Sequence, residues 1–208
     1  MSNETKIAVI EGKWFKNQNI SVRGLFDLVS DINFDSPHEY HYEMFNNDDA
    51  FQEIIERLAV TDSVHNLYIA AHGNKGALVG SNHEEISLAK VRNSVKKISQ
   101  SDGKMHSIYF GSCSFGNQSN LKSLLLSAEN NQIRWVAGYT TDVDFIKSSF
   151  LDALFWNLYI RDTSEAPLQK VKNVCKTLLH DAGGLVEELG FTVLAYDGRS
   201  SNPIMELT

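Results

Sequence analysis

The sequence predicts an α/β sandwich: a mainly parallel, six-stranded sheet covered by helices on both faces, forming one domain over residues 1–208. Three observations lead there. Short β-rich runs alternate with amphipathic helical patterns along the whole chain, as they do where each helix carries the chain back across a sheet face. The run "NLYIAA" (66–71) is almost wholly apolar, like strands buried on both faces. The 208 residues, 42% hydrophobic and 22% charged, suffice for one buried core, and no repeat, low-complexity tract or long linker divides them.

Taken in order, "KIAVIEG" (6–12) reads as a first strand closed by Gly12. Residues 21–32 place Val22, Leu25, Phe26, Val29 and Ile32 at helical spacing, with Ser21 as a cap. "EYHYEMF" (39–45) alternates as a second strand. Residues 46–60 open with capping residues and bring Phe51, Ile54, Ile55 and Leu58 to one helix face. The apolar strand 66–71 follows, then a small hairpin from 76–80 and 83–88, and a helix over 87–98. "MHSIYF" (105–110) is a fourth strand, 119–130 a helix and "IRWVAG" (133–138) a fifth strand. Two helices come next. The first, 145–159, is strongly apolar; the second, 166–183, has Pro167 in its first turn and Gly183 at its end. "FTVLAY" (191–196) is the last strand.

Charge and cysteine usage exclude several functions. A net charge of −7 with no basic stripe argues against a nucleic-acid partner. The N-terminus lacks a signal pattern and no apolar run approaches about 18 residues, so no membrane association and a cytoplasmic location are expected. The two cysteines, Cys113 and Cys175, are far apart in sequence, which indicates neither a disulfide framework nor a zinc site.

One stretch raises a chemical question. "IYFGSCSFGN" (108–117) runs from a buried strand into small polar residues with a thiol at the turn. Cys113 is either a small core residue or a nucleophile. In open α/β sheets the chemistry sits beyond the carboxyl ends of the strands, where Cys113 stands. Of the seven histidines, His72 alone closes a strand the same way, in "LYIAAHGNKG". If the third and fourth strands are neighbours, the two side chains leave the sheet together, and an imidazole can take the proton of a thiol that is otherwise mostly protonated. Gly73 would let a substrate carbonyl approach the backbone, its N–H and that of Cys113 serving as oxyanion donors. Cys175, between Val174 and Lys176 on an amphipathic helix, reads as structural. A flavodoxin-like nucleotide-binding module is an alternative, though no P-loop or GxGxxG follows a strand.

A strand ending in His-Gly ("NLYIAAHG"), then one ending in small residue–Cys ("SIYFGSC"), resembles the caspase–hemoglobinase fold of cysteine peptidases. The segment "WVAGYTTDVDFIKSSFLDALFWNLY" (135–159) is similar to the one that follows the catalytic cysteine in the caspase-like CHAT and separase peptidases, although Tyr139 stands where those often carry Trp. The resemblance implies a His72–Cys113 dyad, an oxyanion hole at Gly73 and Cys113, no metal or organic cofactor, a protein or peptide substrate and room for a regulatory partner protein. The loop "GYTTDVDF" should border the primary pocket, where separase-like relatives set a carboxylate against a basic side chain. Asp142 and Asp144 are the candidates, with Asp144 also a candidate helix cap. The expected activity is a cysteine endopeptidase cutting after Arg or Lys; the rival on the same fold is a catalytically silent peptide-binding scaffold.

Overall fold

Residues Ile7–Gly12 are all buried and form the first strand, β1. In the computed structural model, which describes residues 6–15, 17–34, 39–80, 84–197 and 204–208, β1 is followed by α1 (Arg23–Phe34), β2 (His41–Phe45), α2 (Asp48–Ala59), β3 (Asn66–Ala70), β4 (His72–Gly73), β5 (Ala77–Val79) and β6 (Glu85–Ser87). Then come α3 (Leu88–Gln100), β7 (Ser107–Gly111), α4 (Gln118–Ser127), β8 (Trp135–Tyr139), α5 (Phe145–Arg161), α6 (Pro167–Leu189), β9 (Phe191–Tyr196) and β10 (Ile204–Glu206). Asn47, Ser87 and Asn117 cap α2, α3 and α4, each side chain accepting from a backbone N–H three residues on.

The main sheet has seven strands, ordered β10-β9-β8-β7-β3-β1-β2. Neighbours from β2 to β8 run parallel, while β9 is antiparallel to both β8 and β10. Side chains alternate between two cores. Leu67, Ile69, Ile108, Phe110 and Val136 face α2, α3 and α4; Tyr68, Tyr109, Trp135, Ala137 and Tyr139 face α1, α5 and α6. That alternation is why the central strands read as continuous apolar runs. Among the described residues no helix is long and apolar enough to cross a membrane.

Two expectations need correction. The sheet has a seventh strand, β10, paired antiparallel with β9 through Ile204↔Tyr196, Met205↔Ala195 and Glu206↔Leu194. Three residues after Pro203 carry no periodicity; their partner makes them a strand. The helix expected to stop at Gly183 continues to Leu189, with one irregular residue at Ala182 (φ −140°, ψ 27°). Its true end is Gly190, in the left-handed region at φ 59°, where glycine is favoured. The expected hairpin forms as β5–β6, joined to β4 in a separate three-stranded sheet; His83, the first residue of its expected second strand, lies outside the described residues.

Candidate active site

β3 and β7 are adjacent and parallel, with Ala70 opposite Gly111. Two residues beyond these partners stand His72 and Cys113. His72 begins β4, opposite Val79 of β5. Its Nε2 lies 2.7 Å from the carbonyl oxygen of Trp14. A carbonyl only accepts, so Nε2 carries the proton and Nδ1 of the neutral ring keeps its lone pair. The rings of Trp14 and Phe15 stand edge-on to the imidazole, at 5.2 and 5.0 Å between centroids.

Trp14 is itself held from below. Its Nε1–H donates to Glu11 Oε1 at 2.5 Å, and its indole meets Phe145 edge-on. Glu11, at the end of β1, is fully buried. Its carboxylate also accepts from the Val22 N–H (2.8 Å), the Ser21 hydroxyl (2.6 Å) and the Tyr42 hydroxyl. Four donors satisfy a group that would be costly to bury alone. Sequence reading singled out neither Glu11 nor Trp14. The available signal was a carboxylate closing an otherwise apolar strand.

The turn after β7 is tied to the end of β8. The Ser114 N–H donates to Thr141 O at 2.8 Å and the Gly116 N–H to Tyr139 O at 2.9 Å. Ser114 has φ 55°, a strained conformation for a residue with a side chain. Cys113 is half-buried. Its sulfur faces the backbone of Val143, 3.5 Å from the nitrogen and 3.9 Å from the oxygen. No hydrogen bond joins it to His72 in this structure, and nothing among the described residues accepts from the Cys113 N–H. Gly73 packs on the same turn: a Cβ there would lie 2.6 Å from Cys113 O. The Asn74 N–H points to β5, donating to Ala77 O. Successive N–H groups along a strand alternate sides, so that of Gly73 points away from β5.

Residues 140–144 follow β8 and pack beside the Cys113 turn. Thr140 donates to Gly190 O through both its N–H and its hydroxyl, and the Thr141 hydroxyl donates to Leu189 O. The two aspartates diverge. Asp142 is exposed, and its Oδ1 accepts from the Ser114 hydroxyl at 2.7 Å. Asp144 caps α5, accepting from the Lys147 N–H at 2.9 Å, which commits one of its oxygens to the helix.

Behind the strand ends lies a buried polar cluster. Asp152 of α5 accepts from the hydroxyls of Tyr68 (2.5 Å), Tyr139 (2.5 Å) and Tyr109, one each from β3, β8 and β7. Burial raises its carboxyl to about 6, with the phenol hydrogen bonds pulling the other way. Tyr68 explains Gly111: a Cβ at 111 would meet the Tyr68 hydroxyl oxygen at 2.1 Å. Cys175 is buried on α6, and desolvation pushes its thiol up to about 12.

No protein-family model and no curated protein matches the sequence. Solved structures do. A secreted C11 cysteine protease from Bacteroides thetaiotaomicron, in complex with an irreversible peptide inhibitor, superposes with a TM-score of 0.53 at 7% identity, over 92% of this chain and 66% of that one. The Arg-specific cysteine proteinase gingipain R gives 0.56 at 10% identity, over 90% of this chain and 45% of its own. The complex of the RgpB pro- and mature domains from Porphyromonas gingivalis gives 0.56 at 9%, over 89% and 45%. The chain thus spans 66% of the first and under half of the other two. At such identities the likeness is one of fold. A mostly parallel sheet, with His72 and Cys113 beyond adjacent strands, has these peptidases as its structural neighbours, and the chain takes the caspase–hemoglobinase fold.

Proposed function

We propose that this chain is a cysteine endopeptidase in which His72 and Cys113 carry the chemistry and cleavage follows Arg or Lys. The observation that carries this reading is the bond from His72 Nε2–H to the Trp14 carbonyl, because it leaves Nδ1 as the free base of a ring already oriented. On this reading the Cys113 thiol leaves the Val143 backbone to reach that base when substrate binds; such bonds are often unformed beforehand.

Nδ1 takes the thiol proton, and the thiolate attacks the carbonyl carbon of the substrate. The N–H groups of Cys113 and Gly73 receive the oxyanion, the first having no acceptor among the described residues and the second pointing away from β5. The tetrahedral adduct collapses as the C–N bond breaks and Nδ1–H protonates the departing amine. Water, deprotonated by His72, then hydrolyses the thioester and restores the thiol. Asp142 supplies the charge for a basic side chain before the cut bond: it is exposed, and Ser114, next to the nucleophile, orients one of its oxygens. Asp144 serves the helix. One neighbour is described as Arg-specific, in keeping with this reading.

Irreversible peptidyl electrophiles ending in Arg or in Asp test it, with adducts read by intact mass and peptide mapping. The Arg probe is expected to label Cys113 once, to label Asp142→Ala more slowly, and to spare Cys175. Cys113→Ala should take no label and cleave no peptide while melting at the parent temperature. A parent that takes neither probe is a silent scaffold, and one that prefers the Asp probe does not have the basic pocket.

A further inference from the structure

Phe15 follows directly on the residue whose carbonyl holds His72, yet 44% of it is exposed. Its ring stands edge-on to the imidazole, 5.0 Å away at 79°, beside Trp14 at 5.2 Å and 81°. Trp14 in turn meets Phe145, the first residue of α5. The imidazole is therefore flanked by an aromatic shelf with one open ring. The base of the shelf is fixed by Glu11, which holds Trp14 Nε1 and the Val22 N–H, so Phe15 is presented from an anchored segment rather than a loose one.

Reaction chemistry says what meets that shelf. In the reaction assigned to His72, Cys113 Sγ bonds to the carbonyl carbon, the C–N bond breaks, and the proton on Nδ1 passes to the amine nitrogen. The departing amine must lie within hydrogen-bond reach of the imidazole. The side chain of the residue that begins with this amine is two bonds from the nitrogen. It is thus delivered to whatever surrounds His72 on the leaving side.

We propose that Phe15, backed by Trp14, forms an apolar subsite for the side chain immediately after the scissile bond, so that large apolar residues such as Leu or Phe are favoured there. The inference rests on the peptidase reading of His72 and Cys113 and adds a second specificity element to it. Covering the exposed face of Phe15 removes apolar surface from water in the transition state, and a charged side chain placed there would lose hydration without a partner.

The test is a set of peptides with one common sequence before the cut bond and Leu, Phe, Gly or Asp after it, cleaved by the parent and by Phe15→Ala. The parent should cut the Leu and Phe peptides with a kcat/KM about tenfold or more above Gly, and Asp slowest, the size of effect a small hydrophobic pocket supports. In Phe15→Ala the advantage of Leu and Phe over Gly should shrink to about threefold or less. A preference that survives Phe15→Ala, or an equal slowing of all four peptides, overturns the subsite; the equal slowing would mean that Phe15 only shields the His72–Trp14 bond. Labelling of Cys113 separates the two levels. A parent that takes the Arg electrophile and cuts without regard to the following residue loses the subsite and keeps the peptidase reading. A parent that does neither overturns both.

Discussion

A single methyl group at position 73 would sit 2.6 Å from the Cys113 carbonyl oxygen, closer than real Cβ contacts come. The obstacle is backbone, so it cannot swing aside. The sequence suggests a small residue here so that substrate can approach; in the fold, the first approach is by the protein's own chain. Gly73→Ala should therefore displace the Cys113 turn and, on the proposed peptidase reading, lower kcat/KM by about 100-fold, the cost of roughly 1 Å of misplacement. Kinetics on the best peptide beside a circular-dichroism melt check this, and an unchanged kcat/KM would free Gly73 from any role. The placing of His72, Gly73 and Cys113 beyond the ends of neighbouring strands was legible in the sequence, because apolar runs closing in small residues are a local pattern. Trp14 and Val143 were not, because each reaches the site through a contact between distant segments, and Glu11 bears on it only through Trp14.

Adjacent strands are tied to one helix by their tyrosines. Tyr68, Tyr109 and Tyr139 lie on β3, β7 and β8, and all donate to Asp152 of α5. Tyr68 reaches it only because Gly111 has no side chain. Gly111→Ala should destabilise the protein by about 1–3 kcal/mol, as overpacking does. Combined with Tyr68→Ala, which removes both the hydroxyl oxygen and the ring carbon that would stand 2.1 and 2.5 Å from that methyl, the loss should be less than additive by at least about 1 kcal/mol. Urea unfolding of the four proteins gives the coupling; additive losses would mean that the two residues do not compete for space. At this scale the six expected strands of the main sheet and the six α-helices among the described residues could be read from periodicity. The seventh strand and the true end of α6 could not. β10 exists through its pairing with β9, and Gly183 reads as a stop signal, but the left-handed residue is Gly190.

For the whole molecule, Asp152 links stability to pH. Burial raises its folded-state carboxyl from the ordinary 3.8 to about 6. Between pH 4 and 6 the folded protein therefore retains a proton that the unfolded chain has released, so this group's contribution is fully present at lower pH and is lost as pH rises through 6. Against Asp152→Asn, the parent's relative stability should fall by about 1.4 kcal/mol per pH unit within that window and stay level above it. Urea unfolding at pH 4, 5, 6 and 7 measures the difference, and a difference independent of pH would show that Asp152 does not titrate there. This carboxylate sits in a helix that the sequence marks only as strongly apolar. What the sequence alone determined is the alternation of strands and helices and the placing of His72 and Cys113 at strand ends, because side-chain periodicity and strand termination are local. Only the tertiary structure decided which nitrogen of His72 is free, that Asp142 faces Ser114 while Asp144 caps α5, and that three tyrosines share one buried carboxylate. Each of these depends on partners brought together by the fold, and on the cost of leaving a buried polar group without a hydrogen-bond partner.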